Sequence, residues 1–154
     1  MEQLSRREFV AAVTAVAACA SCTLCGAADA LAADAATGEK VTIGTLADYP
    51  KDAVYDKFAK SHRLFVIRND GQLYAASAIC THKNSPLTLK EGKIECKKHG
   101  SKFSEHGTST KGPAKGSLPR YAISQSADQK LIVDTAKSFG EKEWEKPEAF
   151  IKVG

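Results

Sequence analysis

Two short segments of the chain each carry one cysteine and one histidine. The first has the pattern Cys80-x-His82 and the second, after a spacer of thirteen residues, has the pattern Cys96-x-x-His99. Two thiolates and two imidazoles are a complete ligand set for one tetrahedral zinc ion. They are equally a ligand set for a binuclear iron–sulfur cluster, with both cysteines on one iron and both histidines on the other. The ligand types alone leave these two interpretations open.

The sequence on either side of these motifs predicts short β-strands that would position them. Apolar runs at Leu64–Ile67 and Leu73–Ala76 flank Asn69–Gly71, whose residues tolerate the positive φ angles of a tight turn. These features predict the clearest hairpin in the sequence. A second hairpin is predicted where Tyr121–Ile123 and Leu131–Val133 flank a polar turn.

The rest of the chain after residue 40 has weaker signals of secondary structure. A strand is predicted at Val41–Ile43, and Asp52–Lys60 favours one or two helical turns. Between the hairpins, residues 78–120 are rich in Gly, Lys, Ser and Pro, and their apolar stretches (Leu87–Leu89 and Ile94) are short. We therefore expect something other than a hydrophobic core to hold this segment together.

Length and composition limit the class of protein. The chain has 154 residues, 22 Lys plus Arg, 18 Asp plus Glu and 43% apolar residues. This length suits one domain, and the composition excludes a wholly disordered chain. No nucleophile–base pair is recognisable, so no catalysis is expected from this chain alone.

Residues 1–32 have the pattern of an export signal. Arg6-Arg7 with Phe9 precedes a run without charged residues that reaches Ala28, and Ala30-Leu31-Ala32 offers a cleavage site. The arginine pair resembles the twin-arginine type, a route that carries folded proteins, often with a cofactor already inserted. The alternative is a retained membrane anchor, because about 20 apolar residues can span a bilayer.

Three of the five cysteines lie inside this signal. Cys19, Cys22 and Cys25 are spaced like part of a ferredoxin motif, but a segment that is removed or placed in lipid is not expected to hold a cluster. We interpret them as small apolar filler. A further alternative is that Val16–Cys19 is a lipoprotein-type cleavage box, with an acylated Cys19 as a membrane tether.

The flanks of the Cys/His motifs resemble those of the Rieske family. The second motif extends to Cys-x-x-His-Gly-Ser-x-Phe over Cys96–Phe103. Gly112–Ala114 is similar to the family's Pro loop, and Leu118–Tyr121 is similar to the return into its base sheet. The resemblance covers residues 41–135. It implies an all-β fold, an antiparallel β-sandwich with a small cluster-binding subdomain inserted at about 78–120, and one [2Fe-2S] cluster per chain.

The resemblance also implies a role for each site residue. Cys80 and Cys96 would ligate a buried inner iron, and His82 and His99 would ligate the outer iron through one ring nitrogen each. The other ring nitrogens would reach the surface and form the electron port, with proton release accompanying oxidation. The Ser101 hydroxyl would donate a hydrogen bond to a bridging sulfide, which raises the reduction potential.

Three positions depart from the quinol-oxidising members of the family. Those members carry an extra cysteine in each loop, where this chain has Ser85 and Lys98, and a tyrosine where it has Phe103. An inter-loop disulfide and a hydroxyl donor to a cluster cysteine are therefore missing, which should lower the potential. These differences favour a lower-potential exported Rieske protein, either the small subunit of a molybdenum enzyme such as arsenite oxidase or a subunit that works with menaquinone.

The other polar residues near the motifs allow simpler roles. His62 and His106 are expected to be surface or hydrogen-bonded histidines, and Trp144 is expected to pack the C-terminal segment (136–154) onto the sheet. Residues 78–120, called the cluster segment below, are also rich in lysine. These lysines form either a solvated loop surface or a basic collar that steers an acidic partner. This lysine collar consists of Lys83, Lys93, Lys97, Lys98, Lys102, Lys111 and Lys115.

These features predict an electron carrier outside the cytoplasm. Without residues 1–32 the chain has 20 basic and 15 acidic side chains, a net charge of +5, with a short flexible lead-in at 33–40. The expected partners are a redox protein or larger catalytic subunit of a periplasmic or membrane-associated oxidoreductase, and a quinol. Nucleic acid is excluded as a partner by the export signal and by the lack of aromatic residues among the lysines. The competing class is a binding module that zinc stabilises through the same four ligands.

Overall fold

The computed structural model describes residues 38–153. The predicted export signal, the Cys19 box and most of the lead-in therefore lie outside the described residues. Within the described part, no helix is long and apolar enough to cross a membrane. Two short 3-10 helices, Leu46–Asp48 and Glu141–Glu143, interrupt an otherwise all-β structure.

Within residues 38–153, eleven strands form two antiparallel sheets, which confirms the predicted all-β fold class. The main sheet has the strand order β1-β10-β9-β4-β3-β2, with β11 paired to β4, and the cluster sheet has the order β5-β6-β7-β8. The strands are β1 (Lys40–Thr45), β2 (Ala53–Tyr55), β3 (Leu64–Asn69), β4 (Gln72–Ser77), β5 (Thr88–Lys90), β6 (Lys93–Glu95), β7 (Lys102–Phe103), β8 (Ser109–Lys111), β9 (Arg120–Gln125), β10 (Lys130–Phe139) and β11 (Ile151–Lys152).

Both predicted hairpins are confirmed, and the first is the centre of the molecule. Strands β3 and β4 pair in register and are joined by Asp70 and Gly71, whose φ angles of 51° and 69° belong to a two-residue turn of the primed type. Leu64 and Val66 point into the core of the main sheet, whereas Phe65 and the alternate residues of β4 contact the cluster segment. The hairpin is thus buried on both faces, which explains its continuous apolar sequence.

One prediction was wrong in part. The segment 52–60 forms strand β2 followed by turns, not one or two turns of helix. Val54 is buried between two more exposed neighbours, so this short alternating run pairs with the edge of β3.

The cluster segment leaves and re-enters the main sheet at adjacent points. The Ser77 amide at the end of β4 donates to the Pro119 carbonyl at 2.9 Å, and Ala76 pairs with Arg120 at the start of β9. The predicted C-terminal extension begins inside β10, which continues to Phe139. The chain then returns to the first hairpin, where the Val153 amide donates to the Gly71 carbonyl at 2.7 Å.

Candidate metal centre

The two Cys/His motifs occupy loops that are closed by the same pair of hydrogen bonds. In the first loop the Cys80 amide donates to the Ser85 carbonyl at 2.8 Å, and the Asn84 amide donates to the Cys80 carbonyl at 3.0 Å. In the second loop Cys96 forms the matching bonds, to the Ser101 carbonyl at 2.8 Å and from the Gly100 amide at 2.9 Å. The two loops therefore present their cysteines in the same backbone setting.

The closing residue of each loop has a left-handed backbone conformation. Asn84 has φ 45° and Gly100 has φ 73°. Glycine has no Cβ to clash there, and asparagine is among the side chains that tolerate this region best. These two residues were not singled out by the sequence analysis, although their types are a usable signal for such a turn.

Both cysteines are buried and neither forms a disulfide. Cys80 is 0% and Cys96 is 1% exposed, and both belong to the apolar cluster that includes Phe103. A buried thiolate needs a compensating positive charge, which a metal ion supplies.

The two histidine rings meet edge to face. The ring centroids of His82 and His99 are 5.0 Å apart and the planes are inclined by 88°. Both Nδ1 atoms are buried and have no hydrogen-bond partner. A buried ring nitrogen without a partner costs free energy, so each Nδ1 is suited to a ligand that the protein itself does not contribute.

Burial is the main influence on the pKa of the His99 imidazole. It lowers the pKa of the His99 imidazole below its ordinary value, and the charges of His82, Lys83 and Lys98 act in the same direction. The ring is therefore biased towards the neutral form, which is the form that ligates metal.

A third loop covers the other two. The Ala114 amide donates to the Ser101 hydroxyl at 3.2 Å, and the Thr81 hydroxyl donates to the Gly116 carbonyl at 2.8 Å. Ser101 is fully buried, and its oxygen accepts from Ala114 while its own hydrogen is left to donate. The segment Gly112–Gly116 thus contacts both Cys/His loops, and the sequence analysis did not foresee the contact through Thr81.

The remaining candidate residues have ordinary partners. Nδ1 of His62 lies 3.8 Å from Glu39, and Nδ1 of His106 accepts from the Asn69 side-chain amide at 3.1 Å. Among residues 38–153, no three His, Cys, Asp or Glu side chains come close enough together to bind one ion.

The residues predicted to depart from the quinol-oxidising pattern lie in these loops and in the adjacent strand β7. The Ser85 hydroxyl is buried and donates to the Lys83 carbonyl at 3.3 Å, whereas Lys98 is exposed. Phe103 is 2% exposed and packs with the two cysteines.

Comparisons with known proteins agree with this geometry. The profile of the Rieske [2Fe-2S] domain matches residues 39–122, a range that contains all four ligand candidates. The cytochrome b6-f complex iron-sulfur subunit of Chlorobaculum tepidum is 28% identical over 99 residues, which cover 63% of this chain and 54% of that protein. The chloroplastic subunit 1 of Nicotiana tabacum is 36% identical over 87 residues, which cover 51% of this chain and 38% of that protein.

A solved structure gives a further comparison. The cyanobacterial plasma membrane Rieske protein PetC3 from Synechocystis is 30% identical, with a TM-score of 0.44, and the match covers 61% of this chain and 98% of that chain. The curated relatives are longer: this chain spans about half of the first and less than half of the second.

The covering loop gives a test of the site's packing. Gly112 has φ 98°, and a Cβ at this position would lie 2.6 Å from the Cα atom of Ser101. We expect Gly112→Ala to push the loop away from Ser101, to destabilise the protein by about 1–3 kcal/mol and to speed bleaching of the visible absorption on heating. The control is Gly116→Ala, where a Cβ meets nothing within 4 Å. Equal bleaching rates in the two variants would contradict this account.

Proposed function

The chain belongs to the Rieske family and holds a Rieske-type [2Fe-2S] cluster, and on this premise we propose its ligands. Cys80 and Cys96 bind one iron through their thiolates, and His82 and His99 bind the other through Nδ1. The observation that carries this assignment is the pair of buried Nδ1 atoms without partners, beside two buried free thiols. When bound, the cluster supplies reversible one-electron chemistry.

The protein buries the cysteine side of the proposed site and leaves the histidine side partly exposed to solvent. Both cysteines are buried, whereas His82 and His99 are only partly buried although their Nδ1 atoms are covered. The exposed part of each ring is therefore on the side away from Nδ1. We propose that these two ring edges are the place where a partner protein approaches to exchange an electron.

The ligand assignment is tested by removing each histidine. We expect His82→Ala and His99→Ala each to lose the rhombic EPR signal of the reduced protein, with a mean g value below that of the free electron, because one iron loses a ligand. His106→Ala is the matched control and should keep the signal, since His106 bonds to Asn69. A normal cluster in both ligand variants would refute the assignment.

We further propose that the cluster has a lower potential than those of typical quinol-oxidising Rieske proteins. Ser85 and Lys98 leave no inter-loop disulfide, and Phe103 places a ring without a hydroxyl in the apolar cluster that contains the two cysteines. The Ser101 hydroxyl remains available to a bridging sulfide, because its oxygen already accepts from Ala114. Of the two hydroxyl donors that would raise the potential, the one on Ser101 is therefore kept and the one at position 103 is missing.

Phe103→Tyr tests this proposal. We expect the potential to rise by about 40 mV, because a hydrogen bond of about 1 kcal/mol to a cluster thiolate stabilises the reduced state of a one-electron couple by that amount. The control is Phe139→Tyr, at a buried phenylalanine in β10 that lies outside the cluster sheet. The measurement is an EPR-monitored redox titration, and an unchanged or lower potential in Phe103→Tyr would place the missing donor elsewhere.

Three kinds of complex are candidates for this electron carrier. Similarity to cytochrome b6-f iron-sulfur subunits favours a quinol-oxidising complex. The substitutions at Ser85, Lys98 and Phe103 favour a menaquinol-linked complex or a molybdenum enzyme of the arsenite oxidase type. A midpoint near the upper end of the family range, roughly −150 to +300 mV, would support the first, and one near the lower end would support the others.

The lysine collar is proposed as the docking surface for an acidic partner. All seven lysines are exposed, and Lys83 and Lys98 are close enough to His99 for their charges to influence it. Lys102 is partly neutralised by Glu95 at 2.8 Å. We therefore expect Lys83 and Lys98 to contribute more than Lys102 to the electrostatic field at the electron port.

Charge reversal tests the collar without knowledge of the partner. We expect the double variant Lys83→Glu/Lys98→Glu to slow oxidation of the reduced protein by ferricyanide about tenfold at low salt, with the difference shrinking at high salt. Lys137→Glu/Lys142→Glu makes the same charge change in the C-terminal part and should have a much smaller effect. Equal slowing by both double variants would mean that net charge, not the collar, sets the rate.

We also propose that residues 1–32 export the protein with its cluster already inserted. Replacing Arg6-Arg7 with two lysines should leave the protein in the cytoplasm of its host, as judged by fractionation and immunoblotting, because the arginine pair is the recognised feature. Cys19→Ala should be exported normally, and a shift of this variant from membrane to soluble fractions would identify acylation at Cys19. Normal export of the lysine variant would refute the twin-arginine assignment.

A further inference from the structure

A cavity of about 310 Å³ lies away from the cluster loops. It is found where the first hairpin, the turn between β7 and β8, and the C-terminal segment meet. Its lining includes Asn69, Tyr74, His106, Thr108, Arg120 and Trp144. The volume is at the small end of the range for ligand pockets in proteins.

Arg120 is a buried cation at this cavity. It is 6% exposed, and its guanidinium carbon lies 3.5 Å from the ring centre of Tyr74 and 4.2 Å from that of Trp144. Aromatic faces attract the charge but do not accept the hydrogen bonds that the guanidinium donates in its own plane. Among residues 38–153, no carboxylate lies within ion-pair distance of Arg120, and its buried Nε has no hydrogen-bond partner.

Two further polar atoms at the cavity are also buried without a hydrogen-bond partner. The Tyr74 hydroxyl and the Trp144 indole nitrogen are both buried without an aligned hydrogen-bond partner. Each unsatisfied group of this kind costs about 1–3 kcal/mol, and more when it is charged. The Tyr74 hydroxyl has the Arg120 guanidinium as a neighbour, and the charge of Glu145 also acts on Arg120. Nε of Arg120 and Nε1 of Trp144 nevertheless remain buried donors without an acceptor, so the cavity can still accommodate an oxyanion.

We propose that this cavity binds a small oxyanion, a carboxylate or a phosphate, with Arg120 as its principal contact. The planar donors of a guanidinium match two oxygens of such a group, and a buried arginine holds them in place. Asp70 also lines the cavity; its carboxylate is exposed to solvent and accepts a hydrogen bond from the Asn69 amide at 2.6 Å.

Binding can be measured on the cluster-containing protein. Acetate and inorganic phosphate are titrated separately by calorimetry, with sodium chloride at matched ionic strength as the blank. The fluorescence of Trp144, the only tryptophan in the chain, reports whether binding occurs at this cavity. We expect a saturable response to at least one of the two anions. Saturation by acetate alone identifies a carboxylate site, and saturation by phosphate alone identifies a phosphate site.

Variants separate the cavity from the general surface charge. Arg120→Lys keeps the charge but loses the planar donors, and we expect at least a tenfold weaker Kd. Arg68→Lys is the matched control, since Arg68 lies in β3 and already donates to the Tyr49 carbonyl and pairs with Asp52. If Arg120→Lys does not fold, Tyr74→Phe and Trp144→Phe keep the rings, remove one donor each and should weaken binding in calorimetry.

Three results would overturn the proposal. The first is the absence of a saturable response to either anion in the unaltered protein. The second is a response that sodium chloride reproduces, and the third is equal binding in the Arg120 or donor-removing variants and in Arg68→Lys.

Discussion

Four buried atoms, which we propose as cluster ligands, set the main constraint on this structure. Two thiols and two imidazole nitrogens are held in the interior of a segment whose own strands are two or three residues long. The two unsatisfied nitrogens alone cost about 2–6 kcal/mol. Metal–ligand bonds at these atoms would offset this cost, since in small metal-binding segments such bonds contribute directly to the free energy of folding. The loop conformations, the covering loop and the buried serine all follow from the need to present these atoms together.

The central hairpin connects this segment to the rest of the protein. Because β3 and β4 are buried on both faces, one set of side chains completes the main core and the alternate set forms the base of the cluster segment. Phe65 and Tyr74 therefore belong with the cysteines, whereas Leu64 and Leu73 belong with the other strands. A rigid base of this kind limits the movement of the ligand loops, and precise ligand positions favour a constant redox potential.

Much of this arrangement could be predicted from sequence. The two hairpins follow from apolar runs and turn residues, and the family follows from the residues that flank the Cys/His motifs, above all Cys-x-x-His-Gly-Ser-x-Phe over Cys96–Phe103. Less local features could not be predicted. The edge strand β2 was mistaken for helical turns because three residues with one buried valine carry little periodicity. Trp144 was expected to pack on the main sheet, and it contacts Arg120 at the start of β9. The identity of this partner could not be predicted, because the two residues belong to distant segments and no spacing rule indicates their contact.

The geometry of the insertion has a consequence for variation among related proteins. The cluster segment begins and ends at neighbouring positions, since Ser77 bonds to Pro119 and Ala76 pairs with Arg120. Between two such anchors, the entropic cost of a longer loop grows only slowly, by about 0.6 kcal/mol for each doubling of its length. The length of the cluster segment can thus change by insertion or deletion while the main sheet keeps its structure. Differences in spacer length between members of the family would then affect the cluster segment alone and leave the main sheet unchanged.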